Sequence, residues 1–201
     1  HALSGGGDTL AEATPAGRLL DAVFLSVTCR TAGFNTVRMD PDALSPASHM
    51  LAVVLMFVGG SPGSTAGGVK TVGLAVLLLS VAATLRGRRR VTAMGRTIPD
   101  PVVKRAAVVI IVMFALVSLV TLLLCFTEQA SLRESMFEAV SACGTVGLST
   151  GLTPDLTSAG RVVILLAMFA GRLGPLTLLV ALAGTSDGAR YDYPNEEVGI
   201  G

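Results

Sequence analysis

Residues 29–36 read Cys-Arg-Thr-Ala-Gly-Phe-Asn-Thr and residues 143–150 read Cys-Gly-Thr-Val-Gly-Leu-Ser-Thr, so four of eight positions are identical at an offset of 114. Further along, Met-Phe-Val-Gly at 56–59 matches Met-Phe-Ala-Gly at 168–171 at an offset of 112. Because both the order and the spacing are kept, the sequence predicts an internal repeat. Each unit consists of a short helix, a Thr-x-Gly turn and a longer helix.

The composition is typical of a protein that lies in a lipid bilayer. Of the 201 residues, 51% are hydrophobic and 14% are charged, whereas a soluble domain carries about 25% charged residues. This excludes a disordered chain, a nucleic-acid module and most cytosolic enzymes. Three cysteines and two histidines, widely separated, predict neither a disulfide framework nor a metal site.

Three apolar regions are long enough to cross a bilayer, which takes about 20 helical residues. Residues 106–126 contain no charge, and residues 162–183 contain only Arg172 at their centre. The region 47–85 is interrupted at 59–68 by five glycines and a proline. The sequence therefore predicts one crossing made of two half-helices, 47–58 and 69–85, joined by a loop at membrane depth. Such backbone is tolerated only where it is buried in protein or lines a watery cavity.

Two shorter apolar segments, 19–28 and 132–142, are too short to cross and indicate re-entrant helices. Seven of the fifteen Lys and Arg residues lie between positions 86 and 105, which predicts that this loop is cytoplasmic and that the re-entrant helices open on the outer face. The predicted organisation is an outer lead-in at 1–17, a pore repeat at 18–86, a basic loop at 87–105, a second pore repeat at 106–184 and a cytoplasmic tail at 185–201. Because the first unit has no leading crossing and the chain starts at His1, we expect a longer protein.

The two Thr-x-Gly turns have the composition of a cation site. A dehydrated cation in a membrane needs oxygen ligands, and backbone carbonyls supply them without a net charge that would trap the ion. Glycine permits the backbone angles that aim successive carbonyls at one axis, and the carboxyl end of a short helix adds partial negative charge. The candidate ligands are the carbonyls of the first turn (Thr31, Ala32, Gly33 and Phe34) and of the second turn (Thr145, Val146, Gly147 and Leu148).

The interruption at 59–68, here called the glycine loop, is a candidate gate. The repeat alignment places Arg172 level with Gly60, so this charge and the loop are expected at one depth, where an unpaired charge is costly. A nearby fixed cation would also raise the barrier to a passing cation. The candidate gate residues are Gly59, Gly60, Ser61, Gly63, Ser64, Thr65, Gly67, Gly68, Lys70 and Arg172. The loop almost spells a phosphate-binding motif, but Val69 separates the last glycine from Lys70, so nucleotide binding is not expected.

Three motifs in order resemble the membrane subunit of Ktr/Trk-type potassium uptake systems, in particular the Ktr branch. They are Arg30-Thr-Ala-Gly-Phe-Asn-Thr36, the glycine loop through Thr71, and Gly144-Thr-Val-Gly-Leu-Ser-Thr150 with Gly171-Arg-Leu-Gly-Pro-Leu-Thr177. The resemblance implies an all-α membrane protein containing the third and fourth of four helix, re-entrant pore helix, filter and helix repeats, the third lacking its leading helix. It also implies that Gly33 and Gly147 are filter glycines and that Arg172 contacts a gate formed by the glycine loop.

The same resemblance implies partners and a location. The membrane subunit would form a homodimer in the bacterial inner membrane, on a cytosolic ring of regulatory subunits that bind nucleotides. Potassium would be the transported ion, held by backbone carbonyls, and sodium dependence is a further implication that no residue here demonstrates. No cofactor in this chain, no catalytic residues and no nucleic-acid partner are expected.

Other interpretations stay open at the level of sequence. A broken-helix secondary transporter predicts one substrate-sized cavity instead of converging filter segments. A non-conducting scaffold or truncated paralogue is the second alternative, and an intramembrane enzyme is the least favoured because no catalytic pair is present. Two carboxylates, Asp21 and Glu138, lie on the short helices, and we expect them to be solvated or to polarise an outer vestibule.

Overall fold

The computed structural model describes residues 15–36, 39, 44–61, 63–64, 66–88 and 90–174, and all statements about structure concern these residues. Their elements are, in order, α1 (Pro15–Thr28), α2 (Pro46–Phe57), α3 (Thr71–Leu85), β1 (Thr92–Ala93), β2 (Arg96–Thr97), α4 (Asp100–Thr127), α5 (Leu132–Gly144), α6 (Leu152–Asp155) and α7 (Ser158–Leu173). The protein is mainly helical, as predicted. Thr65, the expected tail at 185–201 and most of the expected lead-in at 1–17 lie outside the described residues.

Helix α5 lies at the centre of the packing and contacts α4, α7 and α2. From Phe137 to Gly144 every residue of α5 is buried, and Phe137 packs against the ring of His49 in α2 with centroids 4.7 Å apart. The helix begins with a capping box, in which Ser131 and Glu134 each accept a hydrogen bond from the other's backbone N–H. This central position fixes the carboxyl end of α5, from which the second turn leaves.

The glycine loop separates α2 from α3, and its two ends are hydrogen-bonded to each other. Gly59 N–H donates to Val69 O at 2.9 Å and Val69 N–H donates to Phe57 O at 3.1 Å, which makes a parallel β-bridge between Val58 and Val69. An ideal Cβ at Gly59 would lie only 2.0 Å from Gly67 O, so glycine is required for this close approach. The end of α2 and the start of α3 are therefore held side by side, and the loop projects from this one place.

Helix α4 is the one helix among the described residues that is both long and apolar enough to cross a membrane. It begins at Asp100, six residues before the predicted start at Ala106, because Pro101 suits the first helical turn and Asp100 complements its dipole. The predicted basic loop at 87–105 is accordingly shorter. It also contains the β1–β2 hairpin, which we did not expect and which turns at Met94 and Gly95, both with positive φ.

Helix α7 begins at Ser158, where Thr157 caps its first turn by accepting from Gly160 N–H at 3.2 Å. The helix starts four residues before the predicted crossing at 162–183 and ends at Leu173, so the far end of that crossing stays a prediction. Gly174 then has φ +83°, outside helical geometry, and residues 175–183 lie outside the described part.

Candidate functional site

The two Thr-x-Gly turns adopt the same unusual backbone. Thr31 has φ +71° and Gly33 φ +74°, while Thr145 has φ +55° and Gly147 φ +90°. In the described residues, only Met94 besides these two threonines is a non-glycine residue with positive φ. A left-handed threonine costs about 1–2 kcal/mol, so the surrounding structure must hold both turns in place. Strain of this kind, present twice at equivalent positions, is typical of functional sites.

Each turn is attached to the end of the short helix before it. Ala32 and Gly33 both donate their N–H to Thr28 O at 3.2 Å, whereas Val146 donates its N–H to Ser141 O at 2.9 Å. The helix carboxyl ends, which carry partial negative charge, therefore lie directly beside the turn backbones. This arrangement favours a cation near either turn.

The two turns lie against each other and differ in the space around their glycines. An ideal Cβ on Gly33 would be 2.2 Å from Val146 O, so the backbones of the two turns are in contact. A Cβ on Gly147 would meet nothing within 4 Å. Gly147 also lines a cavity of about 820 Å³, together with Thr145, Val146, Leu148, Asn35, Glu138 and Arg172. Of the first turn, Ala32 and Phe34 are exposed.

The glycine loop touches the second turn directly. Gly67 N–H donates to Thr145 Oγ1 at 3.0 Å, across 78 positions of sequence. A Cβ on Gly67 would lie 2.7 Å from that same Oγ1 and 2.9 Å from Gly144 O, so only glycine fits here. On the other side, Arg30 Nη2 donates to Gly59 O at 3.4 Å. The loop is thus held between the residues that flank or begin the two turns.

The exposed part of the loop forms its own turn. Ser64 donates both its N–H, at 3.2 Å, and its Oγ–H, at 2.6 Å, to Ser61 O. Gly63 has φ +83° and an open surrounding, and Gly60 packs against Ser64 Oγ. The internal bonds make this part of the loop a compact unit.

The two predicted gate cations line one cavity together with the loop. This cavity, of about 570 Å³, is bordered by Gly67, Gly68 and Lys70 on one side and by Arg172 on the other. Arg172 also borders the larger cavity beside the second turn. Next to it, Gly171 approaches Cys143 O so closely that a Cβ would lie 2.0 Å from that oxygen. Arg172 therefore borders both the cavity beside the second turn and the cavity lined by the glycine loop, and both Arg172 and Lys70 are exposed.

One of the two environments expected for Glu138, solvation, is wrong, whereas polarisation of an outer vestibule stays a prediction. Its side chain is 4% exposed rather than solvated, and it accepts hydrogen bonds from Ser149, Thr150 and Thr153, which follow the second turn. The only signal available in the sequence was a carboxylate in the middle of a short helix, which needs donors if it is buried.

Glu128 was also missed as a structural residue. Its carboxylate accepts from Thr157 Oγ1 at 2.6 Å and from Thr157 N–H at 3.1 Å, and so joins the end of α4 to the start of α7. The bond from the hydroxyl, which has the larger effect, and the bond from the backbone N–H hold the pKa of the Glu128 carboxyl below its ordinary value. Because the two residues are 29 positions apart, no local pattern reveals the pair.

Comparison with known proteins gives a consistent result. The family model described as TrkH, cation transport protein, matches residues 3–189. The potassium/sodium uptake protein NtpJ of Enterococcus hirae is 40% identical over 97% of this chain and 44% of its own length. Protein B of the Ktr system for potassium uptake in Bacillus subtilis is 40% identical over 92% of this chain and 41% of its own.

A solved structure shares the fold. The potassium transporter TrkH from Vibrio parahaemolyticus superposes with a TM-score of 0.73 at 22% identity, covering 87% of this chain and 39% of that one. The chain thus spans about two fifths of the length of these relatives.

Proposed function

Because this chain belongs to the TrkH family of cation transport proteins, we propose that it forms part of a pathway through which potassium is taken up across a membrane. The observation that carries the proposal is the pair of Thr-x-Gly turns, which share positive φ at both threonines and both glycines and whose backbones touch. The relatives from Enterococcus hirae and Bacillus subtilis are uptake proteins rather than enzymes. The two turns are the filter segments of the third and fourth repeats in a four-repeat pore.

The ligands of potassium in this proposal are backbone carbonyls. Carbonyl oxygens of 31–34 and 145–148 replace the water around the ion, and the carboxyl ends of α1 and α5 add partial negative charge. The open side of Gly147, next to a cavity of about 820 Å³, supports a position facing the ion path. No side-chain charge needs to contact the ion.

The glycine loop is the proposed gate. Support comes from the hydrogen bond between Gly67 N–H and Thr145 Oγ1 and from the cavity that the loop shares with Lys70 and Arg172. A fixed positive charge beside the loop raises the electrostatic barrier to a cation whenever the loop is in place. Displacement of the loop would remove both the steric and part of the electrostatic obstruction.

The remaining parts of the proposal concern assembly. We place the protein in the bacterial inner membrane as a homodimer on a cytosolic nucleotide-binding ring, with the basic segment 86–105 on the cytoplasmic side. Sodium as a second ion is consistent with the name of the Enterococcus relative, which is a potassium/sodium uptake protein. The nucleotide site would belong to the ring and not to this chain.

The test is potassium uptake by cells that lack their own uptake systems and carry the full-length gene, with its regulatory partner, or its Gly147→Ser variant. The matched control is Gly95→Ser, because Gly95 has a similar φ of +77° and open surroundings but lies in the β-hairpin. We expect the parent and Gly95→Ser to restore growth at low potassium, and Gly147→Ser to weaken potassium affinity or selectivity. Unchanged uptake by a well-expressed Gly147→Ser protein would remove the filter assignment, and no rescue by the parent would contradict potassium transport itself.

A further inference from the structure

The side chain of Glu138 borders the cavity beside the second turn and holds the chain that leaves this turn. Its Oε1 accepts from Thr150 N–H at 3.0 Å, from Thr150 Oγ1 at 3.3 Å and from the Ser149 hydroxyl, and its Oε2 accepts from Thr153 Oγ1 at 2.8 Å. The residue is only 4% exposed and sits on the face of α5 that turns toward residues 149–153. Nothing in the filter and gate proposal uses this side chain.

These bonds fix the second turn at both of its ends. Where the turn begins, Val146 N–H donates to Ser141 O of α5 at 2.9 Å, and where it ends, Thr150 N–H donates to Glu138 of the same helix. The four carbonyls between these anchors, those of residues 146–149, are therefore held against one rigid element. A buried backbone N–H without an acceptor is costly, so loss of Glu138 would let the exit of the turn move to find another partner.

The first turn is anchored by a different side chain. Thr28 Oγ1 donates to Phe34 O at 2.6 Å, so a neutral hydroxyl binds the last carbonyl of that turn. At the repeat offset of 114, Glu138 corresponds to Phe24, which is 38% exposed and cannot accept a hydrogen bond. The two turns share a backbone shape, but only the second is held by a carboxylate.

We propose that Glu138 is the positioning residue of the second turn, which sets the spacing of the carbonyls around Gly147 and thereby the affinity and selectivity for potassium. It acts through Ser149, Thr150 and Thr153, not by contact with the ion. This inference rests on the proposed role of residues 145–148 as a filter segment.

The test compares Glu138→Ala with Glu138→Gln in the full-length protein with its partner, measuring KM and Vmax of potassium uptake and the potassium-to-sodium preference. A glutamine keeps an acceptor oxygen for Ser149 and Thr150, and the Thr153 hydroxyl can turn to accept from its amide, whereas alanine removes every acceptor. Glu134→Ala is the matched control, because Glu134 is a partly exposed carboxylate on the same helix. Its side chain accepts hydrogen bonds from Ser131 and not from Ser149, Thr150 or Thr153.

We expect Glu138→Ala to raise the KM about tenfold and to reduce the preference for potassium, with a smaller change in Vmax, because a buried backbone donor and three hydroxyl donors lose their acceptor. Glu138→Gln should keep KM within about threefold of the parent, since its oxygen maintains the same spacing. Glu134→Ala should leave both quantities unchanged. Equal loss in the Gln and Ala variants would overturn the proposal in favour of a role for the charge, and an unaltered KM and preference in Glu138→Ala would overturn it outright.

Two further variants decide the matter if Glu138→Ala does not reach the membrane. Thr153→Val and Ser149→Ala each remove one donor and leave the carboxylate in place, and both should shift KM and ion preference in the same direction by a smaller factor. If neither does, the proposal is wrong. Failure of the proposed function is recognised separately, because then the parent itself would not restore uptake or Gly147→Ser would behave like the parent.

Discussion

At the scale of single residues, the two turn glycines have the same backbone but different neighbours. Gly33 and Gly147 both require positive φ, which an L-residue adopts at a cost of about 1–2 kcal/mol. At Gly33 a side chain would in addition strike Val146 O, whereas at Gly147 it would project into open space. The same substitution is therefore expected to act on the contact between the turns at one site and on the ion path at the other.

Gly33→Ala should reduce the amount of folded protein as well as uptake, because the new Cβ must push Val146 away. Gly147→Ala should leave the amount and the melting temperature of purified protein closer to the parent while altering ion affinity. Membrane expression, thermal unfolding in detergent and potassium uptake, measured for both variants, check this difference. Equal destabilisation at the two positions would contradict the close approach of the turns.

The glycines could be predicted from the sequence, but the role of Glu138 could not. A glycine in a repeated Thr-x-Gly motif signals its backbone requirement locally. The partners of Glu138 depend on the path of residues 148–153 after they leave the turn, and that path is set by packing against α5 and α7. The role of the Thr145 hydroxyl as an acceptor could not be predicted for the same reason, since its donor, Gly67 N–H, lies 78 positions away.

At the scale of elements, the glycine loop was expected as an interruption, but its attachment was not. Composition at 59–68 excludes a helix, and the structure has helices ending at Phe57 and resuming at Thr71. The bridge between Val58 and Val69 and the bond from Gly67 to Thr145 arise from tertiary contact, which no local pattern encodes. These contacts are the structural basis for coupling the loop to the second turn.

Thr145→Val should release the loop from the second turn, because valine has similar volume but no acceptor for Gly67 N–H. Under the proposed gate we expect faster potassium flux in the absence of activating partner, measured as rubidium uptake into proteoliposomes of the full-length protein. Thr145→Ser keeps the hydroxyl and is the control, with flux near that of the parent. Flux through the valine variant at or below the parent would contradict a closing role for this bond.

A second pair of elements, α4 and α7, is joined by Glu128 and Thr157 at the carboxyl end of α4. Because hydrogen bonds from Thr157 lower the pKa of Glu128 in the folded protein, the pair stabilises at pH values above the ordinary glutamate pKa of 4.5, and this contribution is lost as the pH falls through the lowered value. Thr157→Val should therefore lower the melting temperature at pH 7. The difference from the parent should shrink on approach to pH 3 in a thermal-unfolding series, and a difference that grew on acidification would contradict this account.

At the scale of the whole molecule, α2, α4 and α7 pack around α5 and leave apolar side chains exposed on the outside. Ile111, Phe114 and Phe126 of α4 are each more than 60% exposed, which suits contact with lipid or with further helices. The distribution of charge predicts the orientation in the membrane: the hairpin between α3 and α4 belongs to the basic segment, which we expect on the cytoplasmic side.

Orientation can be measured with single cysteines in a background where the exposed Cys125 is replaced by serine. We expect Met94→Cys, at the tip of the hairpin, to react with a membrane-impermeant maleimide only after the cells are permeabilised. Asp155→Cys in α6 should react in intact cells, since the proposed orientation places α6 on the outer side. The reverse labelling pattern would show that the assigned orientation is wrong.

Helix positions and family membership could be predicted from the sequence because apolar length and repeated motifs are local signals. The predicted and observed secondary structure differ at the ends of helices and in the segments that connect them. Helix α4 begins earlier because Pro101 and Asp100 favour a helix start within the basic loop, and α7 ends at Leu173 because Gly174 takes a positive φ. A pattern of hydrophobicity specifies which residues avoid water but not which cap ends each helix.

The central claim is that potassium lies between the two Thr-x-Gly turns, held by their carbonyls. The most direct test is a structure of the full-length protein soaked in thallium or rubidium, with anomalous density used to locate the ion. The account predicts density beside Gly33 and Gly147, within coordination distance of carbonyls from both turns. Density only in the cavity beside Arg172, or anywhere that excludes the carbonyls of one turn, would contradict it.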